Sequence, residues 1–323
     1  MSGLGAALQV LADTSFWMAA IALTAPLLYA ATGAMLCGQA GMLTLGIEGI
    51  VTSGAFAALL AARAGTAQWT ALLVAACTGT LLGLASGVLT SPLRLPQRTT
   101  GLAITLLAAG TCQLIYGIVF PTTAIPPSIV PFSSIDLSWI WRLPYMSAVP
   151  DLPYVSEFGR ALVHATSPVY LALITAFAIG FVIEHTPLGL ALRACGENPA
   201  AIKAQGRSVH GLRVGASVVG STLMAMGGAT FALTTTGAFS FSLLSGRGFA
   251  ALMLTMIAGW RIGRTFLAVL AFAMVDAYQL HLQHRLGDPL ALTLSPLLPY
   301  AIALVVLVAT SRSTMRRFPL SAD

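Results

Sequence analysis

Few side chains in this sequence can do chemistry, and they are far apart. Glu48 is the most suggestive. It lies inside the run Gly38-Gln-Ala-Gly-Met-Leu-Thr-Leu-Gly-Ile-Glu-Gly-Ile-Val-Thr-Ser-Gly54, which holds five glycines in seventeen residues and so resists regular helix. On helical spacing Thr44, Glu48 and Thr52 share one face, with Leu43, Ile47, Ile50 and Val51 largely away from it. A polar stripe on an apolar helix faces the bundle interior or water, where it lines a path or works a gate. The competing reading makes Glu48 a hydrogen-bonded structural residue near a helix start, where the dipole favours its charge. Asp276 invites the same two readings, and its place near a membrane interface points to the structural one.

The marks of catalysis are missing. His281, His284 and Asp288 have a loosely metal-like spacing but read as solvated residues of a short turn. Glu184-His185 has no Ser, Cys or second carboxylate at catalytic spacing. Cys37, Cys77, Cys112 and Cys195 stand singly with no C-x-x-C pair, which indicates neither a disulfide framework nor a zinc site. No G-x-x-x-x-G-K-[ST] run is present, so nucleotide phosphates are not cradled by that route. No catalytic residue, metal or cofactor is expected, and the chain is not read as an enzyme.

The elements that must position these residues follow from composition. Of 323 residues, 57% are hydrophobic and 8% charged, and the mean hydropathy is +0.87. A soluble domain carries roughly 25% charged residues, so most of this surface must meet lipid. The net charge of +6 is scattered between apolar blocks and forms no stripe for nucleic acid. Windows of about 20 apolar residues fall near 16–36, 43–62, 70–90, 101–120, 168–185, 213–234, 265–282 and 292–310, with a shorter one at 248–260. The expected fold is an all-α polytopic membrane protein of about 8–10 transmembrane helices, some discontinuous, in one domain over 1–323. The first span could be two pieces, and 235–260 could be re-entrant. The first basic residue is Arg63, which argues against a cleavable signal peptide.

Basic residues orient the bundle, because cytoplasmic loops are enriched in Lys and Arg. Segments 91–99, 186–213, 260–264 and the tail hold 11 of the 16 and are placed inside, so the C-terminus is expected to be cytoplasmic and, with nine crossings, the N-terminus outside. The stretch 121–167, with seven prolines up to Pro153 and the aromatics Trp139, Trp141, Tyr145 and Tyr154, reads as an external loop. Gly79, Gly83 and Gly87 recur every four residues, as do Ser217 and Ser221, and Gly211 and Gly215; such spacing lets helices approach closely. A second broken stretch, Gly237 to Gly248, opens into Phe249-Ala-Ala-Leu252, as Gly54-Ala opens into Phe56-Ala-Ala-Leu59. Broken helices in matching positions of two halves point to a transport site near the midplane.

The loop 186–212 carries a further element. Asn198 is a good N-cap, Pro199 suits the first helical position, and Gly206 suits the residue past the end. The helix between them has about seven residues and is on the order of 10 Å long, too short to be stable alone. With no phosphate-cradling loop in the chain, ATP-driven transport would need its hydrolysis in another polypeptide, and a short two-ended helix is what such a motor would push.

These residues resemble a family. Thr186-Pro-Leu-Gly-Leu through Arg193-Ala-Cys-Gly-Glu-Asn-Pro-Ala-Ala to Gly206 resembles the ATPase-coupling loop of bacterial ABC importer permeases of the branched-chain amino acid and simple-sugar type. The Gly38 to Gly49 run is similar to that group's early signature in its nucleoside and sugar-like members, and Gly246-Arg-Gly-Phe-Ala-Ala-Leu with Ala258-Gly-Trp-Arg261 is similar to the late one. Thr44 stands where relatives usually have Asn, and Ile262-Gly263 where they usually have Pro. The resemblance implies a permease subunit of the bacterial inner membrane, paired with a second permease subunit. It further implies cytoplasmic ATPase subunits and an extracytoplasmic solute-binding protein that delivers a small polar solute such as a nucleoside or simple sugar. It implies ATPase contact by Arg193, Ala194, Gly196, Glu197, Asn198, Pro199, Ala201, Lys203 and Gly206. On the same reading Thr44, Glu48, Thr52, Arg247 and Phe249 belong to the translocation path. The competing readings are a branched-chain amino acid permease, an ion-coupled secondary carrier using Glu48 or Asp276, and, least supported, a polytopic membrane enzyme.

Overall fold

The computed structural model describes residues 14–120, 132, 158–159, 161–236, 246–285 and 301. Long apolar stretches without water to bond their backbones become helix, and helices account for every regular element among the described residues: α1 (Thr14–Gln39), α2 (Ile47–Arg63), α3 (Gln68–Thr90), α4 (Gln97–Val119), α5 (Ser167–His185), α6 (Pro187–Glu197), α7 (Pro199–Ala204), α8 (Val209–Thr230, extended by a π turn over Phe231–Thr236), α9 (Arg247–Ile257) and α10 (Ile262–Arg285). Among them α1, α3, α4, α5 and α8 with its extension are long and apolar enough to cross a bilayer. The first span is a single helix that runs through Pro26. All of the ninth window, 292–310, but residue 301 lies outside the described residues, as does most of 121–167.

Both discontinuities expected from the glycines are present. The second window begins as irregular chain over 42–44 and becomes helix only at Ile47. The short window at 248–260 is α9, whose eleven residues reach about 16 Å, roughly half a hydrocarbon core.

Loop positions sort to two ends. At the lower end, Gly196 abuts Gln39 and Gly41, Ser91 Oγ lies 3.0 Å from His210 Nδ1, and the Leu43 N–H donates to Gln97 Oε1 at 2.9 Å. At the upper end, Arg63 lies over the Phe120 ring, Trp69 meets Phe132 edge-on, and the Phe132 N–H donates to the Leu233 carbonyl. The segments 91–99, 186–213 and 260–264, grouped on one side by charge, all gather at the lower end.

The core is α1, nearly all of it buried, packed by α8, α10, α5 and α9, with α2 and α3 in turn packed on α8. Its closest contacts are made where a side chain is missing. A Cβ on Gly33 would fall 2.3 Å from the Gly220 carbonyl, one on Gly54 2.2 Å from the Ala225 carbonyl, and one on Gly228 1.9 Å from the Val51 carbonyl. The two predicted ladders pack on each other: Gly79 and Gly83 of α3 face the carbonyls of Ser221 and Ser217 of α8. Ser217 Oγ donates to the Gly83 carbonyl at 2.9 Å and lies 2.7 Å from Ser86 Oγ. The third predicted pair does not pack. A Cβ on Gly215 would meet nothing within 4 Å, and one on Gly211 only Ser208 of its own turn, because that face of α8 points out of the bundle.

Gly83→Leu should therefore prevent α3 from seating on α8, a cost of at least about 1–3 kcal/mol for overpacking. Gly215→Ala should be neutral or stabilising by about 0.5–1 kcal/mol, since it removes a flexible residue from open helix. Thermal unfolding of both variants in detergent checks this; equal melting temperatures would contradict the packing.

Candidate functional site

Two groups of residues draw notice, one inside the bundle and one at its lower end. The inner one is built where α2 and α9 begin. Residues 43–49 climb along the first two turns of α4: Leu43 bonds Gln97, Gly46 touches Gly101, and Gly49 touches Thr105. The eight helical steps from Gln97 to Thr105 correspond to about 12 Å, which sets Glu48 near mid-depth of the bundle. From there α2 continues upward and α9 returns to the lower end, so two helix N-termini meet at Glu48.

A helix starting inside an apolar bundle leaves unpaired N–H groups pointing out of its first turn. Glu48 supplies the acceptors for α9. Its Oε1 receives the Gly246 N–H at 2.6 Å and its Oε2 the Phe249 N–H at 3.2 Å, so the carboxylate caps a helix some 200 residues away in sequence. The positive ends of both helix dipoles favour its charge. Gly246 holds φ +86° at the cap position, and Gly248 faces Glu48 so closely that a Cβ there would fall 2.7 Å from Oε2. Glu48 thus has the hydrogen-bonded role at a helix start, with a second helix as the object of the cap.

The other predicted path residues surround this junction unequally. Arg247, in the first turn of α9, pairs with Asp276 of α10, Nη1 to Oδ2 at 2.8 Å, and its guanidinium lies 4.3 Å from the centre of the Phe231 ring. Asp276 accordingly has a structural bond, as its sequence context suggested. A cleft beside this pair is lined by Pro26, Leu27, Val51, Gly227, Phe231 and Arg247. Phe249 contributes its N–H to Glu48. Thr52 Oγ1 donates to the Glu48 carbonyl at 2.8 Å within its own helix. Thr44 departs from the expected stripe: α2 starts three residues after it, so it lies in irregular chain. There it lines a separate cleft with Met42, Ser86, Thr90, Gln97 and Thr100. The glycines that break the helix also break the periodicity that placed Thr44 beside Glu48.

At the lower end, α7 matches its sequence signals. Asn198 Oδ1 receives the Ala201 N–H at 3.3 Å, Pro199 is the first helical residue, and Gly206 holds φ +74° past the end. Ile202 is 1% exposed and packs with Ala191, Cys195 and Val209. The rest of the helix, with Glu197, Asn198, Ala201, Lys203 and Gly206, is exposed, while Arg193, Ala194, Gly196 and Pro199 are half-buried. Burial pushes the Cys195 thiol up, with the Arg213 guanidinium opposing the shift, so this cysteine packs rather than reacts.

The preceding helix α6 was not foreseen, although its signals repeat those of α7. Thr186 Oγ1 receives the Gly189 N–H at 3.2 Å and Pro187 opens the helix. Gln97 was also missed. It receives the Leu43 N–H, and its Nε2 lies 3.4 Å from the Gly41 carbonyl, pairing backbone that the irregular stretch leaves open. Of the loosely metal-like trio, His281 lies 3.1 Å from Ser15 Oγ, and Asp288 lies outside the described residues.

The helices that follow the two broken stretches, α2 and α9, thus start at one carboxylate and run in opposite directions, while residues 237–245 lie outside the described residues. Their registers differ: Phe56 is the tenth residue of α2 and Phe249 the third of α9.

Residues 16–311 match the family described as branched-chain amino acid transport system / permease component. The guanosine ABC transporter permease protein NupQ of Bacillus subtilis is 28% identical over 75% of this chain and 74% of its own length. The nucleoside ABC transporter permease protein NupC of Lactococcus lactis is 27% identical over 77% of both. TsgC13 of Haloferax volcanii, whose name suggests a glucose ABC transporter permease, is 28% identical over 88% of this chain and 81% of its own. No solved structure gives a significant match.

Glu48→Ala leaves the Gly246 and Phe249 N–H groups unpaired in an apolar interior and should cost about 2 kcal/mol or more. Glu48→Gln keeps an acceptor but loses the charge facing two helix dipoles, and should cost about 1 kcal/mol. Melting curves in detergent should rank wild type above Gln and Gln above Ala; an Ala variant as stable as wild type would refute the cap.

Proposed function

The chain belongs to the family of permease components of branched-chain amino acid transport systems, and from that membership we propose that it is the membrane subunit of an ATP-driven importer carrying a nucleoside or simple sugar. As a permease component it is a multi-pass membrane protein and not itself an enzyme. The importing direction and the solute class are our reading, supported by the similarity to NupQ, NupC and TsgC13. The partners in this reading are separate ATPase subunits below, a second permease subunit alongside, and an extracytoplasmic solute-binding protein above. The chain sits in the bacterial plasma membrane with its C-terminus cytoplasmic.

The observation that carries the reading is α7: a six-residue helix, capped at both ends, anchored by Ile202 with Pro199 half-buried, and otherwise exposed at the basic end of the bundle. A helix so short owes its shape to its surroundings, and an exposed, preformed surface of this kind suits a motor that binds and pushes. Arg193 to Gly206 form the ATPase contact in this proposal. Thr44, Glu48, Thr52, Arg247 and Phe249 flank the path, with Glu48, Arg247 and Phe249 at its mid-depth gate and Thr44 below it. ATP binding would bias the bundle between outward-open and inward-open states.

The ion-coupled alternative loses ground on geometry. A proton-carrying carboxylate must exchange its partners for solvent during the cycle, whereas Glu48 holds two backbone N–H groups and Asp276 holds Arg247.

Replacing Asn198-Pro199 with Gly-Gly removes the cap and the fixed first turn of α7. In proteoliposomes holding the permease, its ATPase and the binding protein, ATP-driven uptake should fall at least about tenfold, the effect of ~1.4 kcal/mol of lost coupling. Unchanged uptake would overturn the coupling role. Uncoupler-sensitive accumulation by this chain alone would overturn the importer reading in favour of a secondary carrier.

A further inference from the structure

The lower end of α1 is held on two sides at once. On one side, Gly38 seats the indole of Trp260: a Cβ at position 38 would fall 1.9 Å from ring atom Cζ3. One residue on, Gln39 Nε2 donates to the Trp260 carbonyl at 2.6 Å, across 221 residues of sequence. On the other side, Gly196 of α6 lies against Gln39 and Gly41. A Cβ on Gly196 would fall 2.4 Å from the Gln39 carbonyl, and one on Gly41 2.9 Å from Gly196 Cα. Residues 38–41 are therefore clamped between the helix that leads into α7 and the turn that ends α9.

The Trp260 turn is unusual in its own right. Gly259 holds φ +65° and Trp260 itself φ +59°, a left-handed conformation that costs an L-residue with a side chain roughly 1–2 kcal/mol. Such strain persists only where the surroundings determine it. Here the Trp260 N–H donates to the Thr255 carbonyl at 3.1 Å, its carbonyl receives Gln39, and its ring fills the space left by Gly38. The bond from Gln39 thus ends on a backbone fixed to the last turn of α9. At the opposite end of α9 stands the Glu48 cap.

We propose that Gln39 is a positioning residue that carries displacement from the α6–α7 pair to α9, and through α9 to the Glu48 junction. The role rests on the reading that an ATPase pushes α7. Movement of α7 shifts α6, Gly196 bears directly on the Gln39–Gly41 backbone, and the Gln39 side chain pulls the Trp260 carbonyl. Being short and regular, α9 moves as one piece, so displacement of its lower end tilts the N–H groups that hold Glu48. The contact between α6 and the start of α8, Cys195 Sγ to the Val209 carbonyl at 4.0 Å, leads into the rigid core and gives no comparable route to α9.

The test uses the assembled complex of permease, ATPase subunits and binding protein, with Cys77, the exposed native cysteine, replaced by Ser. Spin labels are placed singly at Gln205→Cys, just past α7, and at Met256→Cys, an exposed position near the end of α9. In the parent complex ATP should change the spectra of both labels. In Gln39→Met, which keeps side-chain length but loses the donor, the Gln205 label should still respond. The Met256 response should fall about fivefold or more, the low end of coupling between sites, and solute moved per ATP hydrolysed should fall with it. The retained Gln205 response also shows that the variant is folded and engaged. An undiminished Met256 response in Gln39→Met, or a silent Met256 label in a parent whose Gln205 label responds, would overturn the role of Gln39 while leaving the importer reading intact. A parent in which neither label responds to ATP would overturn the importer reading and this role together.

Discussion

One carboxylate allows a helix to begin in the middle of this bundle. A helix that starts at a membrane surface gives its first N–H groups to water; one that starts at mid-depth has no water to give them to. For α9 the deficit is met by Glu48, which receives the Gly246 and Phe249 N–H groups. Several neighbours are then constrained. Gly248 can carry no side chain, because Glu48 occupies the space. Arg247, a cation in a first turn where the dipole disfavours positive charge, is balanced by Asp276 and by the nearby Glu48. Residues 42–46 must leave helical conformation to lift Glu48 to that depth, and Gln97 pairs the backbone they expose.

Contact chemistry separates what is fixed in the bundle from what can rearrange. Between α1, α8, α2 and α3 the helices touch backbone to backbone at glycine, and sliding any of them would drive Cβ atoms or carbonyls into one another. By contrast, α9 is tied at its ends by directional polar contacts: Glu48 to its N-terminus, Arg247 to Asp276, Gln39 to its C-terminal turn. Hydrogen bonds of this kind can bend and lengthen as the helix tilts, where a backbone contact at glycine cannot give. On the importer reading proposed above, such a division supplies a rigid frame and a short element held by directional bonds.

The sequence displayed the periodic and the punctuated parts of this structure and concealed the distant pairs. Apolar windows located the described spans within a few residues, since lipid-facing helices must be apolar along their length. Spacing of four located the α3 and α8 ladders, and Asn198-Pro199 with Gly206 located α7. The same four-residue spacing misled at Gly211 and Gly215, because spacing reports that a face is smooth without reporting what lies opposite. Thr44 was misplaced by extending helical periodicity through glycines that end it. In α6, Thr186-Pro187 carries the same capping chemistry as Asn198-Pro199, but a longer loop reading absorbed it. Nothing local to Glu48 names Gly246 as its partner, and nothing local to Gln39 names Trp260; those pairings exist only once α9 is folded back against α1 and α2.

The position of the broken helices relative to the lower-end helices gives the arrangement its mechanical sense. A polar junction at mid-depth can open only if something moves it, and the side chains there are bonded to one another. On the importer reading proposed above, the displacement is brought in along the backbone. α9 is the element that joins mid-depth to the lower end in a single rigid step of about 16 Å, and its lower end meets the four residues of α1 against which α6 also rests. A longer helix at that place would span the membrane and expose its ends to both sides; a flexible loop would absorb the displacement before it reached Glu48. A half-helix avoids both outcomes, and the unpaired N–H groups that any half-helix creates are what the half-buried Glu48 meets at its start.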